Sequence, residues 1–149
     1  MLVLGACENI DCTLNNVVLC HISFYDKTTG EPIRLTDTLS VAAEGTDSVL
    51  FNKGVNVASL QLPLSYWKDA DTLRFIVLTK EGETYESKLT IQKSNTIHHE
   101  SPDCPMSVFH QILSATANGS VIDSVAVSRR EVNYLQDENI QVYIRTAAE

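Results

Sequence analysis

The sequence predicts an all-β fold: a single immunoglobulin-like antiparallel β-sandwich of about eight or nine strands. Three observations carry that expectation. Short apolar runs alternate with polar residues at intervals of roughly ten positions. Gly, Pro, Asn and Asp punctuate the runs. No segment sustains the 3.6-residue period of a long amphipathic helix. With 149 residues, 44% of them hydrophobic, the chain is long enough for one domain with its own core. The expected layout is a tether over residues 1–15 and a sandwich over 16–146.

In chain order, Val18, Cys20, Ile22 and Phe24 share one face of the first run, and Thr28-Thr29-Gly30 turns it. Leu39, Val41 and Ala43 form the next, broken at Glu44-Gly45 before Val49 and Phe51. Asn52-Lys53-Gly54 reads as a turn. Ala58, Leu60, Leu62 and Leu64 alternate, and Pro63 marks an edge or exit because it cannot donate to a central ladder. Residues 71–80 and 84–92 flank Glu81-Gly82, a hairpin signal. Residues 107–117 fit either a helix or a strand buried on both faces; the strand is preferred. Asn118-Gly119 then predicts a tight hairpin into residues 121–127, and Ile140, Val142 and Ile144 close the domain. The Cys…Trp…Cys hallmark of antibody domains is missing.

The formal charge is −8, with 11 basic against 19 acidic residues. Phosphate neutralisation needs clustered Lys and Arg, so nucleic acid is excluded as a partner. No run reaches the ~20 apolar residues of a membrane span. Leu4-Gly5-Ala6-Cys7, however, matches a bacterial lipobox, a branched apolar residue and two small ones before a cysteine. The basic start and most of the apolar stretch of such a signal do not precede it, as expected of a late gene start or a trimmed chain. Polar Glu8-Asn9 follows, as a tether would. Cys7 is then the expected lipid anchor, carrying a diacylglycerol thioether that attaches the chain to a membrane.

With Cys7 lipidated, Cys12, Cys20 and Cys104 remain. One disulfide and one thiol suit an oxidising envelope compartment. Sequence does not fix the pairing. Cys20 sits in a strand-like run that suits a buried thiol, whereas Cys12 and Cys104 lie in loops, which favours Cys12–Cys104.

His98-His99-Glu100-Ser101-Pro102-Asp103-Cys104-Pro105 is the densest group of chemically capable side chains. His98 and Glu100 share a face of an extended segment and are the weak metal candidates, with His110 able to join; two ligands do not make a zinc site. Acidic Glu100 and Asp103 flank Cys104, opposite to what a reactive thiolate needs. The stretch reads as a rigid crossover between a hairpin ending near Gln92 and one starting at Ser107. Asp69, Asp71 and Asp137-Glu138 lack the donors and glycine of a calcium loop and read as solvated. Tyr66-Trp67 offers a binding surface that could stack on a sugar ring, or else a Trp packed under the sandwich. Asp followed by Ser or Thr and an apolar residue recurs at Thr38, Ser48, Thr72 and Ser124, either as local turn chemistry or as O-glycosylation acceptors.

Taken together, Cys12-Thr13-Leu14-Asn15-Asn16, Leu35-Thr36-Asp37-Thr38-Leu39, Gly45-Thr46-Asp47-Ser48-Val49, Leu62-Pro63-Leu64-Ser65-Tyr66 and Glu100-Ser101-Pro102-Asp103-Cys104 resemble a family of uncharacterised Bacteroidota lipoproteins. The resemblance spans about Cys7 to Ile144 and implies an exported, lipid-anchored β domain, without catalytic residues or cofactor to carry over. The expectation is therefore an outer-membrane lipoprotein that acts as a binding or structural module for an envelope protein or glycan, not an enzyme. Its rivals are a small envelope hydrolase or metal-dependent enzyme using residues 98–104, and a subunit of a larger outer-membrane assembly.

Overall fold

The computed structural model of the chain describes residues 17–46, 48–99 and 102–145. These contain ten strands and no helix: β1 (Cys20–Asp26), β2 (Thr38–Ala43), β3 (Val49–Gly54), β4 (Ser59–Leu62), β5 (Ala70–Leu78), β6 (Thr84–His98), β7 (Ser107–Gly119), β8 (Ile122–Val127), β9 (Glu131–Val132) and β10 (Ile140–Ile144). They pair into a four-stranded sheet, β4-β1-β10-β8, and a six-stranded sheet, β3-β2-β5-β6-β7-β9. Strand periodicity puts alternate side chains on one face, and the two apolar faces close on each other as a sandwich. Cys20, Ile22, Phe24, Leu60, Leu62, Ile140 and Val142 meet Leu39, Val41, Leu73, Phe75, Leu89, Ile91 and Ile112, all buried. Phe24 meets Phe75 across the layers edge to face, with centroids 6.3 Å apart.

The all-β sandwich is as the alternation predicts, but several local readings change. β1 pairs with β10 in parallel, from Ile22↔Ile140 to Asp26↔Ile144, so the sandwich is rich in antiparallel pairs rather than wholly antiparallel. Asn52-Lys53-Gly54 is not a turn. It lies inside β3, where an extra residue opposes β2 between Leu39 and Val41 and Lys53 takes φ 54°. Val49 is exposed. β6 does not stop near Gln92. It continues to His98 and pairs directly with β7, so residues 99–106 connect one long hairpin rather than crossing between two.

The ambiguity of residues 107–117 has a physical cause. Lys93 faces Ile112 and Gln92 faces Ser114, which makes Leu113 an extra residue on β7. The bulge shifts the inward set from Val108, His110 and Ile112 to Ala115 and Ala117, and the changed phase imitates a helical spacing.

The predicted Asn118-Gly119 hairpin does not form, because β7 and β8 belong to different sheets. The chain crosses the sandwich there. Ser87, buried on β6 opposite Gly119, accepts hydrogen bonds from the Val121 and Ile122 amides at 2.7 and 2.9 Å. Gly119 takes φ +110°, and a Cβ there would lie 2.5 Å from the Glu86 carbonyl oxygen and 2.6 Å from Ser87 Cα. A second single-residue tie sits at the start of β10. Asn139 is fully buried; its Oδ1 accepts from the His21 amide at 3.0 Å, and its Nδ2 donates to the Arg129 and Glu131 carbonyls at 3.0 and 2.9 Å.

Gly119→Ala should cost about 2–4 kcal/mol in urea unfolding, since strain and overlap with backbone add. Gly30→Ala has left-handed φ but open space around it and should cost only about 1 kcal/mol. Equal losses for the two variants would contradict a tight corner at Gly119.

Candidate functional site

Inward positions along β6 run Leu89, Ile91, Lys93 and Asn95, so the alternation that builds the core drives a lysine into it. The Lys93 side chain has 0% exposure. An unpaired ammonium there would be very unfavourable, and the structure surrounds it with oxygen. Nζ donates to the Ser65 carbonyl at 3.0 Å, the Lys68 carbonyl at 2.6 Å and Asn95 Oδ1 at 2.9 Å. Ser65 Oγ lies at 3.2 Å and the Asp71 carboxylate at 3.5 Å. Asp71 in turn accepts from the Ser65 amide at 2.9 Å, and the Lys93 amide donates to the Asp69 carbonyl at 2.9 Å.

The geometric result is a four-residue loop closed around one ion. Ser65 and Lys68 are both gripped from below, and Tyr66 and Trp67 stand between them. Trp67 is 64% exposed and Tyr66 51% exposed, in an edge-to-face pair with centroids 6.2 Å apart. Of the two readings of this tryptophan, packing under the sandwich is the one the structure does not show. Buried Leu64 anchors the loop from its other side. Asp71 is not solvated as expected: its side chain is only 11% exposed and belongs to the lysine's cage.

His110 completes the network. Asn95 is oriented by donating from Nδ2 to the Lys68 carbonyl at 2.9 Å while its Oδ1 receives Lys93. His110 Nδ1, 2.7 Å from that Oδ1, must therefore carry the proton, which fixes the neutral tautomer. Burial, and then the Lys93 charge, lower the His110 pKa to about 4, with Asp71 opposing the shift. Cys20 is a free, buried thiol whose pKa is pushed up to about 12 by burial and by Asp71, so it is unreactive.

The other sequence candidates lie elsewhere. His98 sits on the outer face of the six-stranded sheet, stacked on Phe109 at 4.3 Å and edge-on to Tyr134 at 5.6 Å. His110 points into the core, so these two histidines cannot share an ion. Glu100, Cys7 and Cys12 lie outside the described residues. Among the described residues no group of three or more His, Cys, Asp and Glu comes together. Cys104 is buried and disulfide-bonded, and its expected pairing with Cys12 falls outside the described residues. Of the glycosylation-like tripeptides, Ser48 and Ser124 are exposed, whereas Thr72 lies in a central strand with its hydroxyl 3.1 Å from that of Thr90.

Sequence reasoning missed the lysine cage. The signal was present as parity, since Lys93 falls on the same face as Leu89 and Ile91.

Lys93→Met should cost about 3–5 kcal/mol, because it leaves the Asp71 carboxylate buried without its counter-ion and the Ser65 carbonyl without its donor. It should also raise the mobility of Trp67, read as lower steady-state fluorescence anisotropy. Retained stability and anisotropy would show that the cage does not hold the loop. The pH dependence has a definite sign. Folded His110 resists protonation, so its contribution to stability is complete above the unfolded value near 6.5 and is lost as pH falls towards about 4. Between pH 7.5 and 4.5 the wild type should lose up to ~3 kcal/mol relative to His110→Gln. Parallel stability curves for the two proteins would contradict this.

No curated protein and no solved structure matches the chain. A family-level match covers residues 38–144, from the first residue of β2 to the last of β10. By that match, over more than half its length, the chain belongs to the DUF6452 family, a family of unknown function.

Proposed function

We propose that this protein is an exported, lipid-anchored binding module of the cell envelope, presenting Tyr66 and Trp67 to an envelope glycan or protein. One observation carries the reading: two large exposed aromatic rings stand on a loop whose backbone is fastened to a fully buried ion. Exposed Tyr and Trp are the side chains that contribute most to binding contacts, and a loop ordered beforehand loses little entropy when it binds. A buried lysine that costs stability yet orders a surface loop makes sense as preorganisation. The anchor rests on Leu4-Gly5-Ala6-Cys7, which fits a lipobox, and the envelope setting on the resemblance to Bacteroidota lipoproteins. A Cys12–Cys104 disulfide would fasten the tether to the loop after β6, in keeping with an oxidising compartment.

Crosslinked pull-downs from native envelopes test the contact. Tyr66→Ala with Trp67→Ala should lower specific capture by about ten-fold or more while leaving the unfolding midpoint near that of the wild type. Undiminished capture rules out the aromatic loop as the contact. Incorporation of a fatty-acid analogue at Cys7, in a precursor carrying a full signal, tests the anchor separately; an unlabelled Cys7 removes it.

A further inference from the structure

The two ends of the sandwich are finished differently. At the start of β5 the gap between the sheets is plugged by Lys93 and its cage. At the far end of β5, roughly 26 Å away for eight residues of strand, the gap stays open. There a cleft of about 610 Å³ is framed by two connections that pass from one sheet to the other, residues 33–37 and 120–121. The β5–β6 turn and the end of β10 complete the frame. Its floor is core: Leu35, Val77, Val121 and Ile144 are buried side chains whose outer surface lines the cleft. Lys27, Arg34 and Arg145 stand at the rim, with hydroxyls of Thr36, Thr79 and Ser120 among them.

The size falls within the ~300–1,000 Å³ of small-molecule sites, which favour the mouths of β structures. The rim chemistry selects the ligand. Lys27 and Arg145 share one carboxylate, Asp123, at 3.8 and 3.4 Å. Arg34 uses Nη1 on the Asn56 carbonyl at 3.1 Å, and no described carboxylate lies within ion-pair distance of it. Asp37 also lines the cleft, and Glu83 is occupied by the Tyr85 hydroxyl at 2.8 Å. Guanidinium groups above an apolar floor suit a planar anionic head on an apolar body. We propose that this cleft binds a single-chain amphiphile with a carboxylate head, its tail on Leu35, Val77, Val121 and Ile144 and its head on Arg34 and Arg145. The site is independent of the Tyr66–Trp67 loop.

Methyl NMR titration of the full chain with decanoate, below its micelle concentration, tests this directly. The expected result is saturable shifts at Leu35, Val77, Val121 and Ile144, with the methyls around Lys93 unmoved. Decanol should bind about ten-fold more weakly, and the Arg34→Gln, Arg145→Gln double variant should weaken decanoate by a similar factor while leaving decanol unchanged. Both arginines are exposed, and the unfolding midpoint of the variant confirms that the scaffold is intact. Absence of saturation to millimolar concentration, shifts centred elsewhere, equal affinity for the alcohol and the acid, or a double variant that binds decanoate as the wild type does would each overturn the proposal.

Discussion

A single ammonium group, that of Lys93, dictates much of one end of the molecule. Moving an ion out of water is so unfavourable that every neighbour must answer it. Asp71 opens β5 with its carboxylate turned inward; the loop after β4 bends so that two carbonyls point down; Asn95 presents oxygen and not nitrogen. The consequences spread by hydrogen-bond logic. The orientation of Asn95 selects the His110 tautomer, and burial, aided by the same positive charge, keeps that imidazole neutral. The Asp71 charge that balances the lysine also helps to make the Cys20 thiol inert. Removing the ion would therefore disturb three strands and a loop.

The remaining polar interior follows the same rule of one side chain per structural problem. Ser87 turns the chain between the sheets with one oxygen, and Asn139 ties the segment before β10 to β1 with one amide. On the outer face of the small sheet Glu138 is held below the usual carboxylate range. Burial alone would raise it, but donors on Tyr25, Gln141, Ser128 and Ser23 outweigh that effect. Each device acts where two elements that are distant in sequence must be held in register. Among the described residues no buried side-chain polar atom is left without a partner.

How much of this is legible in the sequence follows from the reach of the signal. Alternation over Val18–Phe24, Ala58–Leu64 and Ile140–Ile144 reports burial directly, so the sandwich can be read. Bulges break that signal. Leu113 shifts the phase of β7, and Lys53 makes a bent strand look like a turn. Gly119 stands out as a residue suited to unusual φ, yet the partner that decides its role, Ser87, lies far back in the sequence. The same distance hides what holds the binding loop: Tyr66 and Trp67 are visible as candidates, but their support is a lysine on another strand. The expected membership of an uncharacterised family agrees with the DUF6452 match, which adds no chemistry to the site.

The parallel pairing of β1 with β10 imposes an order in time. The larger sheet is built mostly from neighbours in sequence: β2 with β3, β5 with β6, and β6 with β7. It can begin to form while the chain is still emerging. The smaller sheet can pair β1 with β4 early but cannot be completed, because its two central strands are the first and the last of the described strands. Until residues 140–144 arrive, Ile22 and Phe24 have β4 as a neighbour on one side only, and the apolar face of the larger sheet is only partly covered. The entropy of closing so long a loop is met at the final step, which makes folding late, cooperative and slow for a chain of this size. Such a chain keeps an unfinished core for as long as its end is held back.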